Sequence, residues 1–477
     1  MTQRAWSRRA LTAARPAATA AALPAARAAT QAVVILLAAA AILLAAGTET
    51  LAAQEGSISR ERLTREWDVK VEKMDTFLRP FMQQHDIQMW IIMSRENHPD
   101  PMLKLFGEYG LTGWYGHRNA YIFYDPGDGA PLEAVVFGTH LSRHLERFFP
   151  RLVPYGEEGL APHLREYVHE KDPRTIAINQ SRTISMADGL TASLKSYLEE
   201  TVGPEYVARF VSSEPLVIDY VSHRTPAELE ISLEASARTW NIIRRVFSNE
   251  VVRPGHTTLL DLHFWVTDEW RSQHLDFNFP ASFNLQRRGL AGSLDTYDDP
   301  VIEPGDLLHT DFGIDLMGIV TDQQKNAYVL RPDETEPPEG LRRLFAQSVR
   351  VAEIFAEELR PGVLGYEVKE RVEARAAEEG IDALAYGHAQ GTWVHDAGAW
   401  AIFDWPERYG IHPREPVRPT EFWSVEFAVT GEVPEWDGQE VRIAREEDGW
   451  VGEDGGFHWM SGPQKELWLI RSFDLGR

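Results

Sequence analysis

The chain has no cysteine. Disulfides, thiolate zinc sites, a cysteine nucleophile and a lipoprotein anchor are thereby excluded, and any metal must be held by histidine and carboxylate. Positive charge is also short: 48 Lys and Arg stand against 72 Asp and Glu, a formal charge of −24. A nucleic-acid partner needs a basic surface, so that class is set aside. One long apolar run occurs, AVVILLAAAAILLAAG from Ala32 to Gly47, and no later stretch is apolar enough to cross a bilayer. What is present is ordinary for a globular protein: 477 residues, 43% hydrophobic and 25% charged, with room for two or three domains. The 15 tryptophans are scattered and read as packing rather than as a cofactor box.

The first fifty residues differ from the rest. Arg4, Arg8, Arg9, Arg15 and Arg27 precede the first acid, Glu49, and the apolar run follows, ending near Ala52-Ala53. A basic region, an apolar region and a small-residue cleavage site ahead of Gln54 predict a signal peptide over residues 1–53 and export to the periplasm or the medium. Its removal takes away five Arg and one Glu, a net +4, and leaves −28. Ser7-Arg8-Arg9-Ala10-Leu11 has the look of a twin-arginine signal. The alternative is a membrane anchor over residues 32–47. Beyond this segment no membrane contact is expected.

Residues 57–221 alternate helix and strand. Leu63, Trp67, Val71, Met74, Leu78 and Phe81 recur at helical spacing within Arg60–Gln84. Strand-like runs follow at 89–93, 120–124, 134–137 and 175–178, with helices around Leu160–His169 and Met186–Glu200. This pattern predicts an α/β domain with a mixed sheet. Arg95, His98, His117, His140 and His144 stand at no ligand spacing and read as surface or structural residues. A second domain, residues 222–477, opens with Pro226, Glu228 and Glu230, a helix-start signature. Three more helices are predicted at about Leu259–Trp270, Glu339–Glu358 and Glu367–Glu379, and Trp423–Val429 and Gln439–Glu447 read as strands. Helices followed by a β-rich end make the fold class α+β.

Chemistry gathers in this second half. Asp311 and Asp322 stand eleven residues apart, each after a hydrophobic run, with Gly313 and Gly318 between them. That predicts two strands joined by a tight connection. Buried carboxylates on neighbouring strands repel, and a divalent cation removes the repulsion. Asp311-Phe312-Gly313 copies the kinase magnesium motif, but no glycine-rich phosphate loop or His-Arg-Asp loop accompanies it, so that reading falls. Downstream, His388 and His395 lie seven apart among Gly387, Gly391 and Gly398; Glu426 sits mid-strand in SVEFAV; Glu440, Glu446 and Glu447 compete as a last acid.

This order of acids and histidines resembles the creatinase/methionine-aminopeptidase superfamily, the pita-bread metallopeptidases, on its Xaa-Pro aminopeptidase/prolidase side. The resemblance runs from about Arg224 to the C-terminus and implies a pita-bread catalytic domain preceded by a smaller, creatinase-like α/β domain. It implies Asp311, Asp322, His388 and Glu426 as metal ligands. It makes His395 the residue that meets substrate and the reacting carbonyl, and Glu426 also a proton carrier to the leaving nitrogen. The fifth ligand falls in Arg445-Glu446-Glu447-Asp448, which fits Arg-x-Glu-Asp and points to Glu447. The register anchored on Val441-Arg442-Ile443 would place Ala444 there, and Glu440 comes too early. Two divalent ions are implied, Mn²⁺ first, with Co²⁺, Fe²⁺ or Zn²⁺ as alternatives. The expected reaction is hydrolysis of an amide bond in a small peptide, of Xaa-Pro type, by a homodimer. Three departures bear on the substrate pocket. Phe427-Ala428 follows the strand glutamate where Pro-Gly is usual, Gln323-Gln324-Lys325 replaces Ile-Thr-Arg, and Ser293 lies near the place of a further histidine. Two rival readings follow: a non-peptidase metallohydrolase on the same metals, and a metal-binding recognition protein without turnover.

Overall fold

The computed structural model describes residues 60–107, 118–127, 129–139, 141–277 and 279–472. The expected signal peptide, the alternative anchor, His117 and His140 lie outside the described residues. By its contacts the chain divides into Met1–Leu63, described only as helix over 60–63, and Thr64–Arg477, which contains everything below. Among the described residues no helix is long and apolar enough to cross a membrane. The helical spacing read up to Gln84 is realised, with Met74–Leu78 wound as a π-helix.

A six-stranded mixed sheet is built from β1 (Met89–Ser94), β2 (Asn119–Tyr124), β3 (Glu133–Gly138), β4 (Arg151–Pro154), β5 (Ile176–Ile178) and β6 (Phe210–Ser212), in the order β4-β3-β2-β1-β5-β6. Strand β1 pairs antiparallel with β2 and parallel with β5. Both faces of β1 are buried, which is why its sequence is a continuous apolar run rather than an alternating one. One face packs with Leu164 and Leu194 of the two covering helices, Leu160–Lys171 and Ala192–Val202. On Trp90 and Phe123 stands an aromatic cluster with Phe106 and Phe149.

The second sheet holds the acids. Its strands are β7 (Ser282–Gln286), β8 (Leu294–Asp295), β9 (Leu307–Phe312), β12 (Gln323–Val329), β13 (Asp382–Ala385), β14 (His388–Ala389), β15 (Phe422–Val433), β16 (Gln439–Val451), β17 (Phe457–Trp459) and β18 (Trp468–Ile470), with the main path β13-β15-β16-β12-β9-β7-β8. The expected Asp311–Asp322 hairpin is present. Asp311 lies in β9, Asp322 immediately precedes β12, and the connection folds into its own ribbon of β10 (Asp315–Leu316) and β11 (Ile319–Val320). Gly313 is obligatory there, because a Cβ would sit 1.6 Å from the Thr321 carbonyl oxygen.

Helices set the Asp322 end. Thr225 and Glu228 form a reciprocal capping box that starts the helix Pro226–Val246. From that helix Thr239 shares a 2.7 Å hydrogen bond with Thr321, and Ser236 accepts one of 2.9 Å from Gln323 Nε2. The helix Glu339–Glu358 matches its predicted span and packs on β15, where Leu344 lies against Gly431. The last long strand runs to Val451, further than alternation alone suggested. All in all the architecture is the expected α+β.

Candidate metal centre

Sheet register brings the acids together. Glu426 of β15 lies opposite Glu446 of β16, Glu446 opposite Gln324 of β12, and Gln324 opposite Asp311 of β9. Directly paired residues share a face, so these four side chains form one row across four strands. Asp322 sits two residues from Gln324, and alternation puts it on that same face. His388 comes in from β14, which pairs with β15 at Ser424. Its Nε2 stands 3.7 Å from Asp322 Oδ2 and 3.6 Å from Glu446 Oε1. Two triads result, Asp311–Asp322–Glu446 and His388–Glu426–Glu446, each with ligand atoms within 4.8 Å of one another. His395 joins Asp322 and His388 in a third group of the same span. The His388 and His395 rings meet edge-on at 4.3 Å, backed by Trp400, which stacks on His412 at 4.1 Å.

The electrostatics are those of a cation-binding site. Burial and mutual repulsion hold the carboxyls of Asp311, Asp322, Glu426 and Glu446 far above the usual carboxylate range. Burial pushes His388 down to about 4, so its ring is neutral and offers a lone pair. His395, whose ring edge reaches solvent, is pushed down to about 3, first by the adjacent His388 and then by its own partial enclosure. Most tellingly, Asp311 Oδ1, Asp322 Oδ1, His388 Nε2 and Glu446 Oε1 are buried with no hydrogen-bond partner. Native interiors rarely leave such atoms unpaired. Hard carboxylate oxygens and one imidazole suit a divalent ion, so the residues fit the group that the motifs imply.

One expected ligand is misplaced. Glu447 points away from the cluster, and Glu446 takes the position. Side chains alternate along β16, so neighbours face opposite ways. Glu447 accepts from Lys325 Nζ at 2.7 Å, from Arg445 Nη2 at 2.5 Å and from the Gln464 backbone N–H at 2.9 Å, which saturates it. A signal for this was legible: Val441 and Ile443 are core residues of β16, and odd-numbered alternation carries Glu447 to their face. Asp448, given no role by sequence, shares the cluster's face. It accepts from the Asp322 backbone N–H at 3.0 Å, from Gln390 Nε2 at 2.7 Å and from Gln323 Nε2 at 2.6 Å, and so pins the turn that carries Asp322.

His309 was missed, since it belongs to no ligand pattern, and Gln324 was noted only within the departure Gln323-Gln324-Lys325, not as a partner of the acids. Gln324 Nε2 donates to Glu426 and Glu446, and its Oε1 lies 3.0 Å from His309 Nε2. Beside them opens a polar cleft of about 480 Å³ whose lining includes Asp311, Glu426, Asn284, Ser293, Tyr386 and Arg442. Arg442 donates to the Tyr386 hydroxyl at 3.0 Å. A larger cleft of about 620 Å³, near Ser181 and Glu214, touches none of the acids.

A sheet that turns four carboxylates and an imidazole toward one another defines a divalent-metal centre on an α+β scaffold. Residues 231–453 match metallopeptidase family M24. Those residues thus form a domain of that family, within the creatinase/methionine-aminopeptidase superfamily, and by it the chain is a metallopeptidase, a hydrolase. Comparison with curated proteins gives no match. Solved structures share the pita-bread fold. An X-Pro aminopeptidase from Thermotoga maritima superposes with a TM-score of 0.61 at 16% identity, covering 82% of this chain and 100% of the other. An Xaa-Pro dipeptidase from Bacillus anthracis gives 0.58 at 18% identity, covering 84% and 99%. A dipeptidase from Mycobacterium ulcerans gives 0.56 at 13% identity, covering 87% and 98%.

Proposed function

We propose that this protein hydrolyses an amide bond in small peptides with two divalent ions, as an aminopeptidase or dipeptidase of Xaa-Pro type. The observation that carries the reading is the convergence of four buried, unpartnered ligand atoms from Asp311, Asp322, His388 and Glu446. Asp311, Asp322, His388, Glu426 and Glu446 would hold the ions, Mn²⁺ by preference for hard oxygen donors. Bound divalent ions supply Lewis acidity, which polarises a carbonyl and acidifies water. His395, edge-on to His388, would donate a hydrogen bond to the reacting carbonyl as charge develops on it. Glu426, on the rim between the cluster and the cleft, carries a proton to the leaving nitrogen. Arg442 and Tyr386 line the same cleft and orient a polar substrate end.

The names of the similar structures support a substrate with proline at the second position. The altered residues Gln324 and Ser293, both lining the cleft, favour a second reading in which the same centre cleaves a different amide or ester. The test is turnover of Xaa-Pro peptides by chelated and Mn²⁺-reloaded protein, with bound metal measured in wild type and Asp322→Ala. Metal-dependent cleavage supports the first reading. Tight metal binding with cleavage only of non-prolyl amides supports the second, and turnover of no substrate leaves a recognition protein. Export is proposed from the leader pattern alone, and a mature N-terminus near Gln54 tests it; a homodimer is proposed from the resemblance alone, for sedimentation to check.

A further inference from the structure

Away from the acids, toward the tip of the long hairpin, the polar cleft carries an arginine. Along β15 and β16 the pair Glu426–Glu446 is followed on the same face by Ala428–Ala444 and then by Thr430–Arg442. Same-face pairs succeed one another at roughly 7 Å, so Arg442 stands about 14 Å along the strand from the row of acids. The alanines between them fill little of that interval. Ala444, Glu426 and Arg442 all line the cleft of about 480 Å³, a size that suits a small ligand.

Arg442 is fixed in place by β7. Its backbone N–H donates to Gln286 Oε1 at 3.0 Å, and its carbonyl accepts from Gln286 Nε2 at 2.7 Å. Its guanidinium lies 5.8 Å from the centre of the Tyr386 ring and donates one N–H to the Tyr386 hydroxyl at 3.0 Å. The side chain is exposed, and among the described residues no carboxylate forms an ion pair with it. The rest of its N–H fork is open to a ligand. Tyr386 adds a second donor: burial holds its phenol well above the ordinary value, so the hydroxyl that accepts from Arg442 keeps its own proton. Apart from Ala444 and Gly292 the lining is polar, and Asp311 and Glu426, its only acids, belong to the metal cluster. An apolar side chain has little to pack on there, whereas a carboxylate meets the planar fork that matches it.

We infer that Arg442, assisted by Tyr386, makes this centre selective for substrates that carry a carboxylate beside the scissile bond, as an acidic side chain or as a free C-terminus. The inference rests on the proposed metal-dependent cleavage of an amide and adds what the cleft selects. Arg442 binds and orients; the bond is broken at the acids and His395.

The test compares peptide pairs of nearly equal shape that differ by one charge, using Mn²⁺-loaded full-length protein. Asp-Pro-amide against Asn-Pro-amide, and Ala-Asp-amide against Ala-Asn-amide, put the charge in a side chain on either side of the bond. Ala-Pro against Ala-Pro-amide puts it at the C-terminus. In wild type the charged member of at least one pair should be favoured about tenfold or more in kcat/KM, the effect of one hydrogen bond between charged groups. The pair that responds tells which carboxylate is read. Arg442→Leu should bring that ratio close to one, and Arg442→Lys, a charge without the fork, should keep part of it. Equal rates within every pair in wild type, or a preference that survives in folded Arg442→Leu, overturns the inference while the peptidase stands. If wild type cleaves none of these peptides, calorimetric binding of the same pairs decides. A preference for the charged member that Arg442→Leu removes then upholds the anion site and leaves only the Xaa-Pro reading lost; binding without preference overturns both.

Discussion

Strands β12 and β16 present two faces with opposite polar logic, one residue apart. On the front, Asp322, Glu426 and Glu446 converge with Asp311, and several of their oxygens have no partner. On the back, Lys325, Arg445 and Glu447 are equally buried and partnered: two cations share one carboxylate, which also takes the Gln464 N–H. Lys325 further donates to the Glu446 backbone carbonyl at 2.7 Å. Buried charge is tolerated when it is paired or when a ligand completes it. The back-face carboxylate is satisfied by protein donors, whereas several front-face oxygens have none. The same residue type, glutamate, is structural at 447 and a ligand candidate at 446 because of strand parity alone.

Breaking that contrast should have its largest effect on activity. Glu446→Gln should abolish Mn²⁺-dependent turnover, a loss beyond the roughly 10–100-fold that outer partners of metal ligands cost, while the fold survives. Turnover and bound metal, measured together, check it; full activity in this variant would mean that the front face is not the centre. Glu447→Ala should do the reverse to stability. It strands Lys325 and Arg445 without a counter-charge and should cost about 3–5 kcal/mol in denaturant unfolding. A Lys325→Met/Arg445→Met/Glu447→Leu triple, which removes all three charges, should recover much of that.

Metal removal sharpens the comparison through pH. The front-face carboxyls are raised by burial, to about 8 for Asp311 and Glu446, so the metal-free folded protein keeps protons that the unfolded chain releases near pH 4. The unfolded state then binds fewer protons, and stability falls as pH rises from about 4 toward 8. Stripped protein should melt lower at pH 8 than at pH 5, and Mn²⁺ should restore the value at pH 8. A flat profile that Asp311→Asn leaves unchanged would contradict this. The smallest effect is expected from a buried acid with no ligand role. Asp100, in the first half of the chain, is pushed up to about 7 by burial, with Oδ2 unpartnered. Asp100→Asn should raise the melting temperature at pH 8 by more than at pH 5, and respond to Mn²⁺ as wild type does.

Much of this was legible before any coordinates. The helix from Pro226 was announced by its proline and early acids, and the helix Glu339–Glu358 was read at its observed span, because local chemistry decides such elements. Asp311, Asp322, His388 and Glu426 stood out as charged or imidazole groups inside apolar, glycine-punctuated strands. What was misread followed from pairing. A spacing motif favoured Glu447, yet which of two adjacent glutamates enters the site depends on the register of β16 against β15 and β12. His309 could not be singled out, and Gln324 stood out only as part of a departure from the family's pattern, since a neutral amide becomes a partner of carboxylates only when two strands set it beside them.

The amino-acid order by itself determined the α+β class, the metallopeptidase family and four of the five candidate ligands, because burying an acid in a β-strand is costly enough to leave a mark in composition and spacing. Only the tertiary structure decided that Glu446 faces the cluster, that Glu447 closes a charge triad behind it, and that Gln324 lies between the two triads. Those are facts of register: a strand shows opposite faces at successive residues, and its partners choose which face meets the centre.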